Sequence, residues 1–196
     1  MSKLYFKYGA MGSSKTAQAL ITKFNYEERN MNVWLIKPSK DTRDGAQKVT
    51  SRVGLEETAT VITPKDSVFM MIKEERKVRK IDVIIADECQ FFTKEQIDEM
   101  RAIVDELNIP VLCFGLRTDF LTHFFPGSSR LMEIADKIEE IKTMCKCGLK
   151  AIVNARLDEK GNVVTHGEQI FLGGNESYVA MCHKCYKESI KKSQNK

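Results

Sequence analysis

Residues 9–16, Gly-Ala-Met-Gly-Ser-Ser-Lys-Thr, combine side chains that suit a bound polyanion. Glycine lets backbone N–H groups approach the anion, lysine adds a positive charge, and a hydroxyl can bind a metal ion. Lys15 and Thr16 stand at the P-loop spacing from Gly9, although Ser14 precedes the lysine where that pattern has glycine. A glycine-rich turn before a helix capped by a serine fits the short pattern equally well. The loop favours phosphate binding without specifying it.

A pair of acids, Asp87 and Glu88, directly follows the apolar run at residues 81–86. The continuous β-branched character of that run predicts a strand covered on both faces. An acid at the end of such a strand can anchor a phosphate-bound Mg²⁺, directly or through water. The neighbouring Glu88 could take a proton from an attacking hydroxyl. The alternative is a solvated turn in which Glu88 is a surface charge.

Four cysteines form two close pairs near the end of the chain, and a zinc ion could bind all four sulfurs. They are Cys145, Cys147, Cys182 and Cys185. Tetrahedral thiolate coordination of this kind leaves no position open for catalysis, so the pattern predicts structural zinc. The first pair is spaced more tightly than the common Cys-x-x-Cys, and His183 or His166 could replace one ligand. Cys89 and Cys113 stand near predicted buried strands and are expected to be core residues.

Strands and helices that alternate along the chain must position these groups. Strands are predicted at residues 3–8, 33–36, 59–62, 81–86 and 110–114, and helices at 15–28, 67–78, 93–107 and 128–136. Thr93 and Gln96 have the spacing of a capping box at the start of the third helix. This alternation predicts a doubly wound α/β sheet, whose ligands collect at the carboxyl ends of the strands.

The composition indicates one sizeable core with a small addition. The chain has 196 residues, of which 42% are hydrophobic, and its net charge of +4 does not by itself imply a nucleic-acid partner. No apolar run approaches the ~20 residues that a membrane span needs, so we expect a cytoplasmic protein. The pattern of elements changes near residue 141. We therefore predict two domains, at residues 1–141 and 142–196.

Taken together, the motifs resemble the cytosolic-type (type II) thymidine kinases over nearly the whole chain. The motifs that carry the resemblance are residues 8–16, Lys-Asp-Thr-Arg at 40–43, Ala-Asp-Glu-Cys-Gln-Phe-Phe at 86–92, Gly-Leu-Arg-Thr-Asp-Phe at 115–120, Phe-Phe-Pro at 124–126, the cysteine pairs, and Leu-Gly-Gly-Asn-Glu-Ser-Tyr at 172–178. The resemblance implies a RecA-like P-loop domain with a mostly parallel sheet, and a small zinc-binding domain whose lasso loop closes over the base. It implies transfer of the γ-phosphoryl group of ATP to the 5′-hydroxyl of thymidine or deoxyuridine, in nucleotide salvage for DNA synthesis.

The resemblance also implies roles for particular residues. The implied phosphate-binding residues are Gly9, Ala10, Met11, Gly12, Ser13, Ser14, Lys15 and Thr16. Thr16 and Asp87 are the implied Mg²⁺ ligands, and the implied catalytic residues are Glu88 as base with Lys15, Asp41 and Arg43. The implied nucleoside-binding residues are Met11, Phe91, Leu116, Phe120, Phe125, Asn154, Gln169, Phe171, Gly173 and Tyr178. Asn154 departs from the threonine that many members carry at its position.

The family resemblance further implies a homotetramer and feedback binding of dTTP, with no nucleic-acid or membrane partner. Two other classes combine a P-loop sheet with a zinc module: a nucleic-acid-dependent ATPase and a non-catalytic nucleotide sensor. The ATPase would need a basic groove with aromatic side chains. Residues 73–80 are basic but interrupted by acids, which is more typical of a solvated helix face.

Overall fold

Six parallel strands form the central sheet in a computed structural model that describes residues 1–41, 45, 47–169 and 177–194. In sheet order the strands are β5 (Thr60–Ile62), β2 (Val33–Pro38), β6 (Val83–Ala86), β7 (Val111–Gly115), β1 (Leu4–Tyr8) and β8 (Lys137–Glu140). All neighbouring pairs are parallel. Strand β7 lies between β1, which precedes the phosphate loop, and β6, which ends at the acid pair. This RecA-like order confirms the predicted α/β fold class.

Helices cover both faces of the sheet. On one face lies α1 (Lys15–Glu27), and on the other lie α2 (Val68–Val78), α3 (Lys94–Leu107) and α4 (Pro126–Ile134). Successive side chains of a strand point to opposite faces, so Val33 and Leu35 pack in the α1 cluster while Trp34 and Ile36 pack in the other. This double covering explains the apolar continuity of the central strands.

The predicted helix boundaries agree closely with the observed ones, and for α3 a local capping signal explains the agreement. The Thr93 hydroxyl accepts from the N–H of Gln96 at 3.2 Å, and the Gln96 side chain accepts from the N–H of Thr93 at 3.1 Å. The capping box is therefore confirmed. Helix α4 begins two residues before its predicted start, with Pro126 at the first helical position, where its missing N–H carries no cost.

Smaller elements complete the chain around the sheet. A hairpin of β3 (Lys48–Thr50) and β4 (Glu56–Thr58) lies beside α1. The C-terminal part contains β9 (Thr143–Met144), β10 (Lys150–Ala151), β11 (Val153–Arg156), β12 (Tyr178–Met181) and α5 (His183–Gln194).

A third apolar cluster is formed entirely by C-terminal residues, from Cys145 to Ile190. The division into two domains at residue 141 stays a prediction. Among the described residues, no helix combines the length and the apolar character that crossing a bilayer would require.

Candidate active site

The phosphate loop joins β1 to α1 in a path that its small residues permit. A Cβ on Gly9 would collide with the carbonyl oxygen of Ile141, so the backbone leaves no room for a larger residue there. Gly12 has φ of +73°. Ser14, the N-cap residue of α1, is also left-handed (φ 59°), and its side chain makes no capping hydrogen bond. The alternative, a helix capped by a serine side chain, is therefore not observed at the N-cap residue Ser14.

Lys15 lies along the inside of this loop and is only 8% exposed. Its Nζ donates to the carbonyl oxygen of Ala10 at 2.9 Å and approaches Oγ of Ser13 at 3.4 Å. The first N–H groups of a helix have no partner within the helix, and they carry its positive dipole end. A lysine ammonium and a helix N-terminus thus meet at one place, which suits a phosphate group.

Thr16 and Asp87, the predicted magnesium pair, are in direct contact although 71 positions separate them. The Thr16 hydroxyl donates to Oδ2 of Asp87 at 2.9 Å. Burial and the adjacent Glu88 carboxylate raise the pKa of Asp87 to about 7. A hydroxyl and a carboxylate are both oxygen ligands of the kind that Mg²⁺ takes, so these two residues fit the ion.

Glu88 follows in a left-handed conformation (φ 49°) and precedes a 3₁₀ turn, Cys89–Phe91. Its Oε2 accepts from Nε2 of Gln90, whose side chain is fully buried. Oε1 of Gln90 in turn accepts from the N–H of Leu116 at 2.9 Å. One buried amide therefore connects the predicted base to the loop after β7. Gln90 was not predicted as a site residue; the signal in the sequence is one polar residue beside apolar neighbours that are buried.

A cleft brings the predicted catalytic groups together. Its lining includes Lys15, Thr16, Asp41, Arg52, Asp87, Glu88 and Leu116. Asp41 is 5% exposed and lies 3.1 Å from Nζ of Lys37, a fully buried lysine that also donates to the carbonyl oxygen of Lys48 at 2.8 Å. Lys37 and Arg52 were not predicted as site residues. Arg43 lies outside the described residues, so its predicted role is untested.

Two aromatic residues of the predicted nucleoside set pack against each other. The rings of Phe91 and Phe125 meet edge to face with centroids 5.6 Å apart. Met11 donates its N–H to Oδ1 of Asn154 at 2.7 Å, and Nδ2 of Asn154 donates to the carbonyl oxygen of Thr118 at 2.9 Å. Both ends of the Asn154 amide therefore bind main chain. Its predicted contact with a base stays a prediction.

Of the remaining predicted nucleoside residues, three come close to one another: Phe120, Gln169 and Tyr178. Gln169 donates from Nε2 to Oδ2 of Asp119 at 2.8 Å, and Phe120, adjacent to Asp119, is buried. The carbonyl oxygen of Phe120 accepts from the hydroxyl of Tyr186 at 2.9 Å. The hydroxyl of Tyr178 accepts from Nε of Arg156, whose guanidinium lies over the ring of Phe120. The predicted residues Phe171 and Gly173 lie outside the described residues.

The four cysteines converge as predicted. The sulfur atoms of Cys145, Cys147, Cys182 and Cys185 all lie within 4.8 Å of one another, a cluster that could hold a metal ion. Backbone N–H groups of Cys147 and Cys182 lower the pKa of Cys145 to about 6, which favours a thiolate ligand. In the described part of the chain no histidine belongs to a cluster of this kind, so the described residues do not support a histidine replacement. Cys89 and Cys113 are fully buried and lie outside the cluster.

Fold and cleft together define an α/β protein with a RecA-like sheet, a phosphate-loop motif and an added cysteine cluster. A family model described as "Thymidine kinase" matches residues 2–186. A thymidine kinase of Yersinia pseudotuberculosis serotype I (strain IP32953) is 48% identical over 191 residues, which cover 97% of each chain. A thymidine kinase of Aliivibrio fischeri (strain ATCC 700601 / ES114) is 45% identical over 192 residues, covering 98% of this chain and 100% of the relative. A thymidine kinase of Escherichia coli O157:H7 is 44% identical over 190 residues, with 97% and 93% covered.

The chain therefore belongs to the thymidine kinase family. The match spans the sheet, the cleft and the cysteine cluster alike.

Proposed function

We propose that this protein transfers the γ-phosphoryl group of ATP to the 5′-hydroxyl of thymidine, and of deoxyuridine, to give the 5′-monophosphate. One observation carries the proposal: the 2.9 Å hydrogen bond from Thr16 to Asp87 unites the phosphate loop and the acid pair in one cleft. Membership of the thymidine kinase family supports the choice of acceptor. Phosphoryl transfer requires mainly positioning and charge stabilisation, and the cleft supplies groups of both kinds.

In the proposed mechanism, the loop amides and Lys15 bind the β- and γ-phosphates. Thr16 and Asp87 would hold Mg²⁺, which neutralises charge that develops on the phosphate oxygens. Glu88 accepts the proton of the 5′-hydroxyl as that oxygen attacks the γ-phosphorus. The bond from the γ-phosphorus to the β–γ bridging oxygen breaks, and ADP leaves. Its neighbour Gln90 keeps the carboxylate oriented through the hydrogen bond described above. Asp41 follows β2 and lines the cleft. We propose that Arg43, two positions later in the sequence, meets the charge of the transferring group.

On the nucleoside side, we propose that the pyrimidine ring lies among apolar and aromatic side chains. The proposed residues are Met11, Phe91, Leu116, Phe120, Phe125, Asn154, Gln169, Phe171, Gly173 and Tyr178. Stacking of a base on an aromatic ring is worth roughly 1–3 kcal/mol in single-stranded nucleic-acid sites, and a similar gain is expected here. A methyl group in an apolar pocket changes affinity only modestly. Thymidine and deoxyuridine should therefore both be accepted.

We propose that the cysteine cluster binds Zn²⁺. Thiolates are preferred ligands of this ion, and four of them close its tetrahedral shell, so the ion would be structural. Metal binding would also help to hold Phe120 in place. Tyr186 stands one residue after Cys185, and its hydroxyl donates to the Phe120 carbonyl oxygen. The two-domain division at residue 141 agrees with the separate C-terminal apolar cluster.

Two further properties are proposed from the family resemblance alone: a homotetramer and feedback binding of dTTP. A cytoplasmic location is proposed from the composition of the sequence. Each concerns the intact protein in solution or in the cell. Sedimentation analysis would test the assembly, and inhibition by dTTP at fixed ATP would test the feedback.

The direct test is to incubate the purified chain with Mg²⁺ and γ-labelled ATP, adding thymidine, deoxyuridine, deoxyadenosine or single-stranded DNA in separate reactions. Label should transfer to thymidine and deoxyuridine and not to deoxyadenosine. ATP hydrolysis stimulated by DNA, without labelled nucleotide, would instead support the nucleic-acid-dependent ATPase. ATP binding without turnover in any reaction would support the sensor.

A further inference from the structure

Arg156, at the end of β11, is buried although it carries a charge, and only 7% of it is exposed. A buried guanidinium is costly unless its donors are used. Its Nε donates to the hydroxyl of Tyr178 at 3.0 Å, and its Nη2 donates to the carbonyl oxygen of Glu168 at 3.0 Å and approaches that of Gln169 at 3.4 Å. One side chain therefore connects two stretches of chain, 168–169 and 178, to β11.

The flat face of the same guanidinium lies over the ring of Phe120. Cζ of Arg156 is 3.8 Å from the ring centroid, within the range of a stacked cation–π contact. Beside it, Asp119 accepts from the side chain of Gln169. Arg156 therefore contacts three residues at once: Phe120, Gln169 and Tyr178. All three belong to the proposed nucleoside set.

We propose that Arg156 is the positioning residue of the nucleoside subsite, which deepens the proposed function and rests on it. It sets the placement of Phe120, Gln169 and Tyr178, and so the affinity for the pyrimidine nucleoside, without touching the reacting atoms. Its described contacts lie on the nucleoside side, whereas Lys15, Thr16 and Asp87 form the phosphate side of the cleft.

Arginine has the geometry that this role requires, and lysine does not. The guanidinium is planar and carries its donors in a fixed fork, so it can stack on one ring while donating to a hydroxyl and to carbonyl oxygens in its own plane. A lysine ammonium keeps the charge but has no plane to stack and no fork. The substitution Arg156→Lys therefore separates geometry from charge.

The test compares Arg156→Lys and Arg156→Met with Arg79→Lys, a charge-conserving change at an exposed position after α2. Initial rates are measured against thymidine at saturating ATP and against ATP at saturating thymidine, together with metal content. We expect each Arg156 variant to raise the KM for thymidine by about tenfold or more, because the lost contacts are those of a charged donor. The KM for ATP and the bound metal should stay within about twofold of the unaltered chain. The control should match that chain throughout.

Tyr178→Phe gives a second measurement, which does not depend on the folding of the Arg156 variants. It removes only the hydroxyl that accepts from Arg156, so it should raise the KM for thymidine roughly fivefold. In Tyr178→Phe/Arg156→Lys the two effects should be less than additive, since they share one contact.

Unchanged KM values for thymidine in the folded variants would overturn the inference, and so would an equal rise in the KM for ATP. If both Arg156 variants failed to fold, an unchanged Tyr178→Phe would overturn it. If the unaltered chain phosphorylates thymidine and the variants have the same KM values as the unaltered chain, the role of Arg156 is refuted while the proposed function stands. An unaltered chain that neither binds nor phosphorylates thymidine would defeat both it and the proposed function.

Discussion

Replacement of Glu88 by Gln tests the role of this carboxylate with little change in shape. The glutamine oxygen can still accept from Nε2 of Gln90, so the link from Gln90 to the N–H of Leu116 should survive. What is lost is a group that can take a proton from a hydroxyl. The substitution therefore separates proton transfer from structure.

The expected loss of turnover follows from the removal of the proton acceptor. A general base contributes about 10²–10⁴ in rate, which corresponds to roughly 3–5 kcal/mol of activation free energy. Lys15, Thr16 and Asp87, which bind the phosphates and the metal in the proposed mechanism, are unaltered. Turnover with thymidine should therefore fall by about 10²–10⁴, while affinity for ATP and Mg²⁺ stays nearly the same.

The assay measures kcat by labelled monophosphate formation and ATP affinity by equilibrium titration. Glu106→Gln, at an exposed position of α3, serves as the matched control and should behave like the unaltered chain. If Glu88→Gln kept turnover within about threefold, the carboxylate would not be the base. If it lost ATP affinity in parallel with turnover, the residue would act in phosphate binding instead.

The other predictions concern the surroundings of the base, the loop and the metal sites. Gln90→Leu should lower kcat by roughly 10–100-fold, since small displacements of a catalytic group are costly, and should add little to Glu88→Gln. Ser14→Gly should raise the free energy of unfolding in urea by up to about 1 kcal/mol, because glycine adopts the observed φ of 59° without strain. Asp87→Asn should abolish the rise in Tm that Mg²⁺ adds to ATP binding. Cys182→Ser should lower bound metal and raise the KM for thymidine.

Each of these has a result that contradicts it. An additive loss of kcat in the Gln90→Leu/Glu88→Gln double variant would show that the two residues act independently. A Ser14→Gly chain that is less stable than the unaltered one would show that the serine side chain makes a stabilising contact. Retention of the magnesium effect would exclude Asp87 as a ligand. For the metal site, Cys113→Ala is the control because this buried cysteine lies outside the cluster. Normal metal content in Cys182→Ser would remove that ligand from the assignment.

Those parts of the fold and the site that have local signals could be predicted from the amino-acid sequence. The phosphate loop, the acid pair and the cysteine pairs are short motifs whose spacing follows from the chemistry of phosphate and metal binding. Helix α3 begins where its capping box predicts, since Thr93 and Gln96 need only each other. Apolar runs identified the central strands, because a strand buried on both faces has to be apolar throughout.

Strand β8 shows where such reasoning fails. Its sequence Lys-Ile-Glu-Glu is largely charged, and no strand was predicted there. It lies at the edge of the sheet beside β1, its one partner among the described strands, and charged side chains are tolerated at an edge. Pairing with β1, distant in the chain, makes it a strand rather than any property of its own residues.

The positioning residues of the site were likewise decided by tertiary structure alone. Gln90 matters because it reaches Leu116, Lys37 because it reaches Asp41 and Lys48, and Arg156 because Phe120 comes within 3.8 Å of it. A sequence motif marks groups that meet a ligand, since their types and spacing follow from its chemistry. A residue that only orients another has a partner set by the packing of distant segments, and that packing exists only once the chain has folded.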